Sequence, residues 1–146
     1  MALKKGKQAE KKESISTLTK ELDTVFSLFI RLRNADKEGN VLCYTSGKKM
    51  YWKKSQCGHF ISRRKMGTRW NEVNCQVQSV KENVFNQGNA PEFGRRLVAD
   101  YGQSAVDNLF LLAGQTVKLD RITLRWQIQH YSDRVRELKV KLNITD

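Results

Sequence analysis

The chain has 146 residues, 39% of them hydrophobic and 29% charged, which is enough for one domain with a modest core. No run approaches the roughly 18 apolar residues of a membrane span, and the lysine-rich start lacks the apolar centre of a signal peptide, so a cytoplasmic protein without a membrane partner is expected. With 27 Lys and Arg against 15 Asp and Glu, the net charge of +12 attracts polyanions, nucleic acid first among them.

Residues 1–15, rich in lysine and poor in apolar side chains, read as a flexible basic tail, and residues 16–146 as a single domain. From about Ser16 a helix is predicted, because Leu18, Leu22, Val25, Phe26 and Phe29 recur at spacings of three and four. Arg31 and Arg33 place cations near its C-terminal end, and "NADKEGN" turns the chain with Gly39 as the left-handed residue. "VLCYT" and "KMYWK" flank "SGK" as a hairpin. "CGHFI" reads as a further short strand in which Gly58 marks a bulge or a close backbone approach. "SRRKMGTRWNE" reads as a polar loop, "VNCQVQS" as extended, and "KENVFNQGN" as a short helix stopped near Gly88.

Pro91 opens a helix through "PEFGRRLVADYG", with Phe93, Leu97 and Tyr101 on one face and Gly102 as its stop. "SAVDNLFLLAG" is a second, more apolar helix. Asp120 caps a long last helix whose stripe is Leu124, Ile128, Tyr131, Val135, Leu138 and Leu142. That stripe serves the core and is long enough to offer a surface for a homodimer. The expected fold class is α+β, with an N-terminal helix, a β-rich centre over 40–90 and a helical part over 91–146.

Charge is concentrated in that centre. Between Asn40 and Asn71 there is no acidic residue, whereas Lys48, Lys49, Lys53, Lys54, Arg63, Arg64, Lys65 and Arg69 are basic and alternate with Tyr44, Tyr51, Trp52, Phe60 and Trp70. Basic residues interleaved with aromatics suit phosphate contact and base or sugar packing. The same segment holds His59, one of two histidines. A positive field lowers an imidazole's pKa and leaves more of it neutral, so a base able to accept a proton from water coincides with a site for a phosphodiester. Asn71, Asn74, Asn83, Asn86 and Asn89 follow. Each asparagine suits local backbone capping, and an amide oxygen also suits a hard cation such as Mg²⁺. Cys43, Cys57 and Cys75 form no C-x-x-C pair, and three cysteines in such a chain argue against a disulfide framework.

The run from "LDTVFSLFIRLRNADKEGN" through "GHFISRR", "TRWNEVN" and "QGN", continuing into "EFGRRLVADYG" and the last helix, resembles the phage NinG (Rap) recombination protein family over about residues 20–142. The resemblance implies a ββα-metal, HNH-like nuclease centre that cleaves branched DNA, such as Holliday junctions and D-loops, during phage recombination in a bacterial host. It assigns His59 as general base and Asn74 as the residue that orients the site. It places Asn83 at the helix start as a metal-binding or supporting residue, and gives a divalent cation, Mg²⁺ or similar, held near His59 and Asn83. Arg63, Arg64 and Arg69 match basic positions that hold DNA phosphates, joined by Lys53, Lys54 and Lys65 from the basic segment.

The family pattern also carries two C-x-x-C pairs for a structural zinc. Here the corresponding residues are Cys43 and Ser46, then Ser79 and Glu82, so one cysteine of four remains and no structural zinc is expected. The missing thiolates make a non-catalytic, structure-selective DNA-binding protein on a decayed nuclease scaffold the first alternative. An RNA-binding module is the second, although it gives the His/Asn constellation no role.

Overall fold

The computed structural model describes residues 12–145. Most of the expected tail, residues 1–11, lies outside them. Ser14 is the N-cap of helix α1 (Ile15–Leu32), its hydroxyl accepting from the Thr17 N–H at 3.1 Å. The face predicted from the spacing is the buried one: Leu18, Leu22, Phe26 and Phe29, with Ile30 and Leu32 added at the C-terminal end. Helix α5 (Arg121–Lys141), capped by Asp120 through the Thr123 N–H at 2.8 Å, lies against α1. Its Leu124, Tyr131 and Val135 are buried, and Ile128 and Leu138 pack on the same cluster, so the long stripe is used within the fold. Tyr131 sets its ring edge-on to Phe26 at 4.9 Å and tilted to Phe29 at 5.1 Å.

Strands β1 (Asn40–Leu42) and β2 (Lys49–Tyr51) form the expected hairpin, with Val41 opposite Met50. They are shorter than the apolar runs suggested, because Cys43–Lys48 closes as a turn and Trp52–Lys54 winds into a 3₁₀ turn that buries the Trp52 ring. Gly39, at φ +80°, precedes the hairpin; a Cβ there would lie 2.6 Å from the Tyr51 ring.

Strand β3 (Gln56–His59) pairs antiparallel with β4 (Cys75–Gln78), setting Cys57 opposite Val77 and His59 opposite Cys75. Gly58 is a close-approach glycine, since an added Cβ would fall 1.9 Å from Oε1 of the fully buried Gln78. The connection read as a polar loop contains one helical turn, α2 (Met66–Arg69), too short to show a periodicity. After β4, Lys81–Phe85 makes a π-helical turn, with the Asn86 N–H bonded to the Lys81 carbonyl at 2.9 Å.

Helices α3 (Ala90–Tyr101) and α4 (Gln103–Ala113) build a second apolar cluster of Phe93, Leu97, Val106 and Leu109 with Tyr44, against which Phe60 and Ile61 pack. The protein is therefore α+β, with the β3–β4 pair wedged between two apolar clusters. No helix among the described residues is long and apolar enough to cross a membrane.

Candidate functional site

A cleft of about 540 Å³ opens between α1, β3 and the π-helical turn. His59, at the end of β3, lines it together with Arg63 from the following loop and Asn83 from the turn. The ring of His59 is oriented by one contact, Nε2 to the Arg69 carbonyl at 2.9 Å. A carbonyl only accepts, so Nε2 carries the proton and Nδ1 keeps the ring's lone pair. Burial lowers the pKa of His59, as do the Arg63 and Arg69 charges, while the Arg69 carbonyl and Asp23 act against them. The ring is thus neutral at pH 7, the form able to accept a proton.

Asn83 lines the cleft with its Nδ2 donating to Gln56 Oε1 at 2.8 Å, and among the described residues no hydrogen bond takes up its Oδ1. Asn74 does not line the cleft. It is fully buried behind it, where Oδ1 accepts from the Ile61 N–H at 2.8 Å and Nδ2 donates to the Ile61 and Thr68 carbonyls at 3.1 and 3.0 Å. Both of its N–H donors and one lone pair of its oxygen are used in closing the loop that carries Arg63 and Arg69. It shapes the site without touching what binds there.

The basic residues divide into two groups. Lys53, Lys54, Arg63, Arg64 and Lys65 are exposed. Arg69, expected among the phosphate contacts, is instead committed to Asp23, with its Nε 2.9 Å from Oδ1 and its Nη2 on Oδ2. Trp70 Nε1 donates to the same carboxylate at 2.9 Å. Arg69 Nη1 also donates to the Arg63 carbonyl at 3.3 Å and the Arg69 side chain is only 13% exposed, so little of the guanidinium is left for DNA.

The polar face of α1 contributes a wall that the sequence reading missed. Asp23, Ser27 and Arg31 all line the cleft. Their spacing of four, on the side of α1 away from its apolar stripe, is the signal that could have found them. Arg31 Nη2 donates to the Trp52 carbonyl at 3.3 Å and its guanidinium lies 5.3 Å over the Trp52 ring. Its Nε is buried with no hydrogen-bond partner among the described residues. A second groove, lined by Lys48, Lys49, Lys54 and Lys81 beside Tyr51, runs between the hairpin and the π-helical turn.

The four positions at which the resemblance places zinc ligands, Cys43, Ser46, Ser79 and Glu82, are linked in the structure. Cys43 Sγ accepts the Ser79 N–H at 3.2 Å, and Ser79 Oγ accepts the Glu82 N–H at 3.2 Å. Burial raises the Cys43 pKa, but the Ser46 hydroxyl and the N–H groups of Ser79, Ser46 and Thr45 outweigh it and bring the thiol down to about 7. The turn after β1 and the turn after β4 are thus joined by hydrogen bonds centred on one sulfur.

The family model for the bacteriophage lambda NinG protein matches residues 1–141. No curated protein and no solved structure matches the chain significantly.

Proposed function

The chain belongs to the NinG family, a phage family associated with recombination, and from that premise we propose that it is a metal-dependent DNA endonuclease acting on branched recombination intermediates. The observation that carries the reading is His59, pinned through Nε2 at the edge of a cleft whose polar walls include Arg31, Arg63 and Asn83. A phosphodiester entering the cleft meets two guanidiniums, those of Arg31 and Arg63. Nδ1 of His59 accepts a proton from the attacking water, and the Arg69 carbonyl stabilises the imidazolium that forms.

Neutral imidazole has a single lone pair, so His59 cannot hold a cation and act as base at once. The base role suits it better, and Asn83 Oδ1 is the ligand the cleft offers to a hard cation, which would otherwise keep solvent and phosphate oxygens around it. Such a cation would supply stabilisation of the charge developing on the phosphate and the leaving oxygen. The five exposed cations Lys53, Lys54, Arg63, Arg64 and Lys65, with the lysine groove, supply the backbone grip.

One observation favours binding without cleavage: Asp23, the one carboxylate lining the cleft among the described residues, is ion-paired with Arg69 and hydrogen-bonded by Trp70. A labelled four-way junction and a linear duplex, each with Mg²⁺ or with EDTA, separate the two readings. The expected result is Mg²⁺-dependent cutting of the junction, reduced about 10²–10⁴-fold in His59→Ala. Tight binding with no cutting by the parent protein would establish the rival, and undiminished cutting by His59→Ala would remove His59 as the base.

A further inference from the structure

On the face of the β3–β4 pair that looks toward α1 lie Cys57, His59 and Cys75, the only group of three or more Cys, His, Asp or Glu side chains among the described residues placed to hold a metal ion. Their placement follows from strand geometry. Cys57 and His59 are two residues apart and share a face, and His59 is the register partner of Cys75. One potential ligand atom from each lies within 4.8 Å of the other two. Zn–S and Zn–N bonds of about 2.3 and 2.0–2.1 Å require ligand separations of roughly 3.6–3.8 Å in a tetrahedron, so side-chain rotations of an ångström or less close the set. The Arg69 carbonyl, 2.9 Å from His59 Nε2 and 3.4 Å from Cys75 Sγ, stands where it could serve as a fourth donor.

We propose that Cys57, His59 and Cys75 form a site for a soft divalent metal of the zinc class, and that a metal bound there turns off cleavage by taking the lone pair of His59. Two thiolates and an imidazole are a ligand set that selects zinc-class ions over Mg²⁺. Binding releases the two thiol protons to solvent. If Nδ1 ligates, its lone pair is occupied. If Nε2 ligates, its proton moves to Nδ1 and caps the lone pair there. Either way the ring has nothing left with which to accept a proton from water. Cys57 and His59 both line the cleft, which gives the metal its way in. This site is distinct from the Cys43–Ser46–Ser79–Glu82 positions, and its switching role, though not the metal site itself, rests on the nuclease reading.

The test is titration of the full chain with Co²⁺, a spectroscopic stand-in for Zn²⁺. One equivalent is expected to produce thiolate-to-cobalt charge-transfer absorption and tetrahedral visible bands, which one equivalent of Zn²⁺ then abolishes. Cys57→Ser should weaken binding by more than about a hundredfold, beyond what loss of an outer partner costs. Cys43→Ser should leave the spectrum intact. On the parent protein, Zn²⁺ should protect Cys57 from iodoacetamide, read by peptide mass spectrometry, which tests the site without any variant. Absence of the charge-transfer band, its persistence in Cys57→Ser, or its loss in Cys43→Ser would each overturn the site. In junction assays with Mg²⁺ in excess, stoichiometric Zn²⁺ should stop the parent and spare Cys57→Ser measured against its own zinc-free rate; equal inhibition of both would overturn the switch. The spectrum requires no turnover, so an inactive protein that still gives it refutes the nuclease reading alone, and an active one that lacks it refutes the metal site alone.

Discussion

Cys43 is the one cysteine kept at the four positions where the family pattern places zinc ligands, and it is buried with a pKa of about 7 against an ordinary value near 9. A thiol whose folded pKa is depressed contributes stability that is fully present above the unfolded value and is lost as pH falls through the folded one. Unfolding free energy should therefore climb between about pH 7 and pH 9, by about 2 kcal/mol from this residue. Urea denaturation across that range, compared with Cys43→Ala, checks it: the climb should be confined to the parent protein. Cys75, whose pKa burial raises, is common to both and cancels. That Cys43 lacks its three partners is legible in the sequence. That the Ser46 and Thr45 hydroxyls and backbone N–H groups gather round its sulfur is not, because those groups are set by two turns far apart in the chain.

The β3–β4 pair depends on one fully buried amide. Asn74 bonds the Ile61 N–H and the Ile61 and Thr68 carbonyls. Asn74→Ala removes all three partners at once and leaves a buried donor without an acceptor, so a loss of about 2–4 kcal/mol is expected, read as a lower urea midpoint with unchanged slope. At this scale the sequence is a good guide where periodicity or a special residue carries the information. The stripes of α1 and α5, the start of α1 to within one residue, the Asp120 cap and the turns at Gly39 and Gly102 were all readable. Helix α2 was not, being a single turn held by its surroundings. Nor was the wall formed by Asp23, Ser27 and Arg31, for a polar face on an amphipathic helix ordinarily means solvent. Only the docking of α1 over β3 turns that face into part of a cleft. The commitment of Arg69 to Asp23 was hidden for the same reason, since their pairing spans 46 residues.

The chain carries a net charge of +12, and among the described residues Lys53, Lys54, Arg63, Arg64 and Lys65 are exposed and Lys48, Lys49, Lys54 and Lys81 line the lysine groove, while Arg69 is internally neutralised. Binding to a four-way junction should weaken steeply with salt, the logarithm of the affinity falling with a slope near −0.9 for each phosphate neutralised. Charge-removing substitutions at Lys53, Lys54, Arg63, Arg64 or Lys65 should each flatten that slope by about one, whereas Arg69→Gln should leave it unchanged and lower stability instead. Anisotropy titrations at several ionic strengths measure both. A flat salt response in the parent would contradict the grip.

The pairing of α1 with α5 also bears on when the cleft comes into being. During synthesis α1 leaves the ribosome long before α5, at about 5–20 residues per second, with Leu18, Leu22, Phe26 and Phe29 lacking the helix that will cover them. Arg31 can meet Trp52, and Asp23 can meet Arg69 and Trp70, before α5 is made, but the apolar stripe of α1 is covered in full only once Tyr131 and Val135 arrive. A nascent chain halted before α5 would have its histidine and its basic loop but an α1 left uncovered, so translation itself delays completion of the fold around the cleft until the last helix is made.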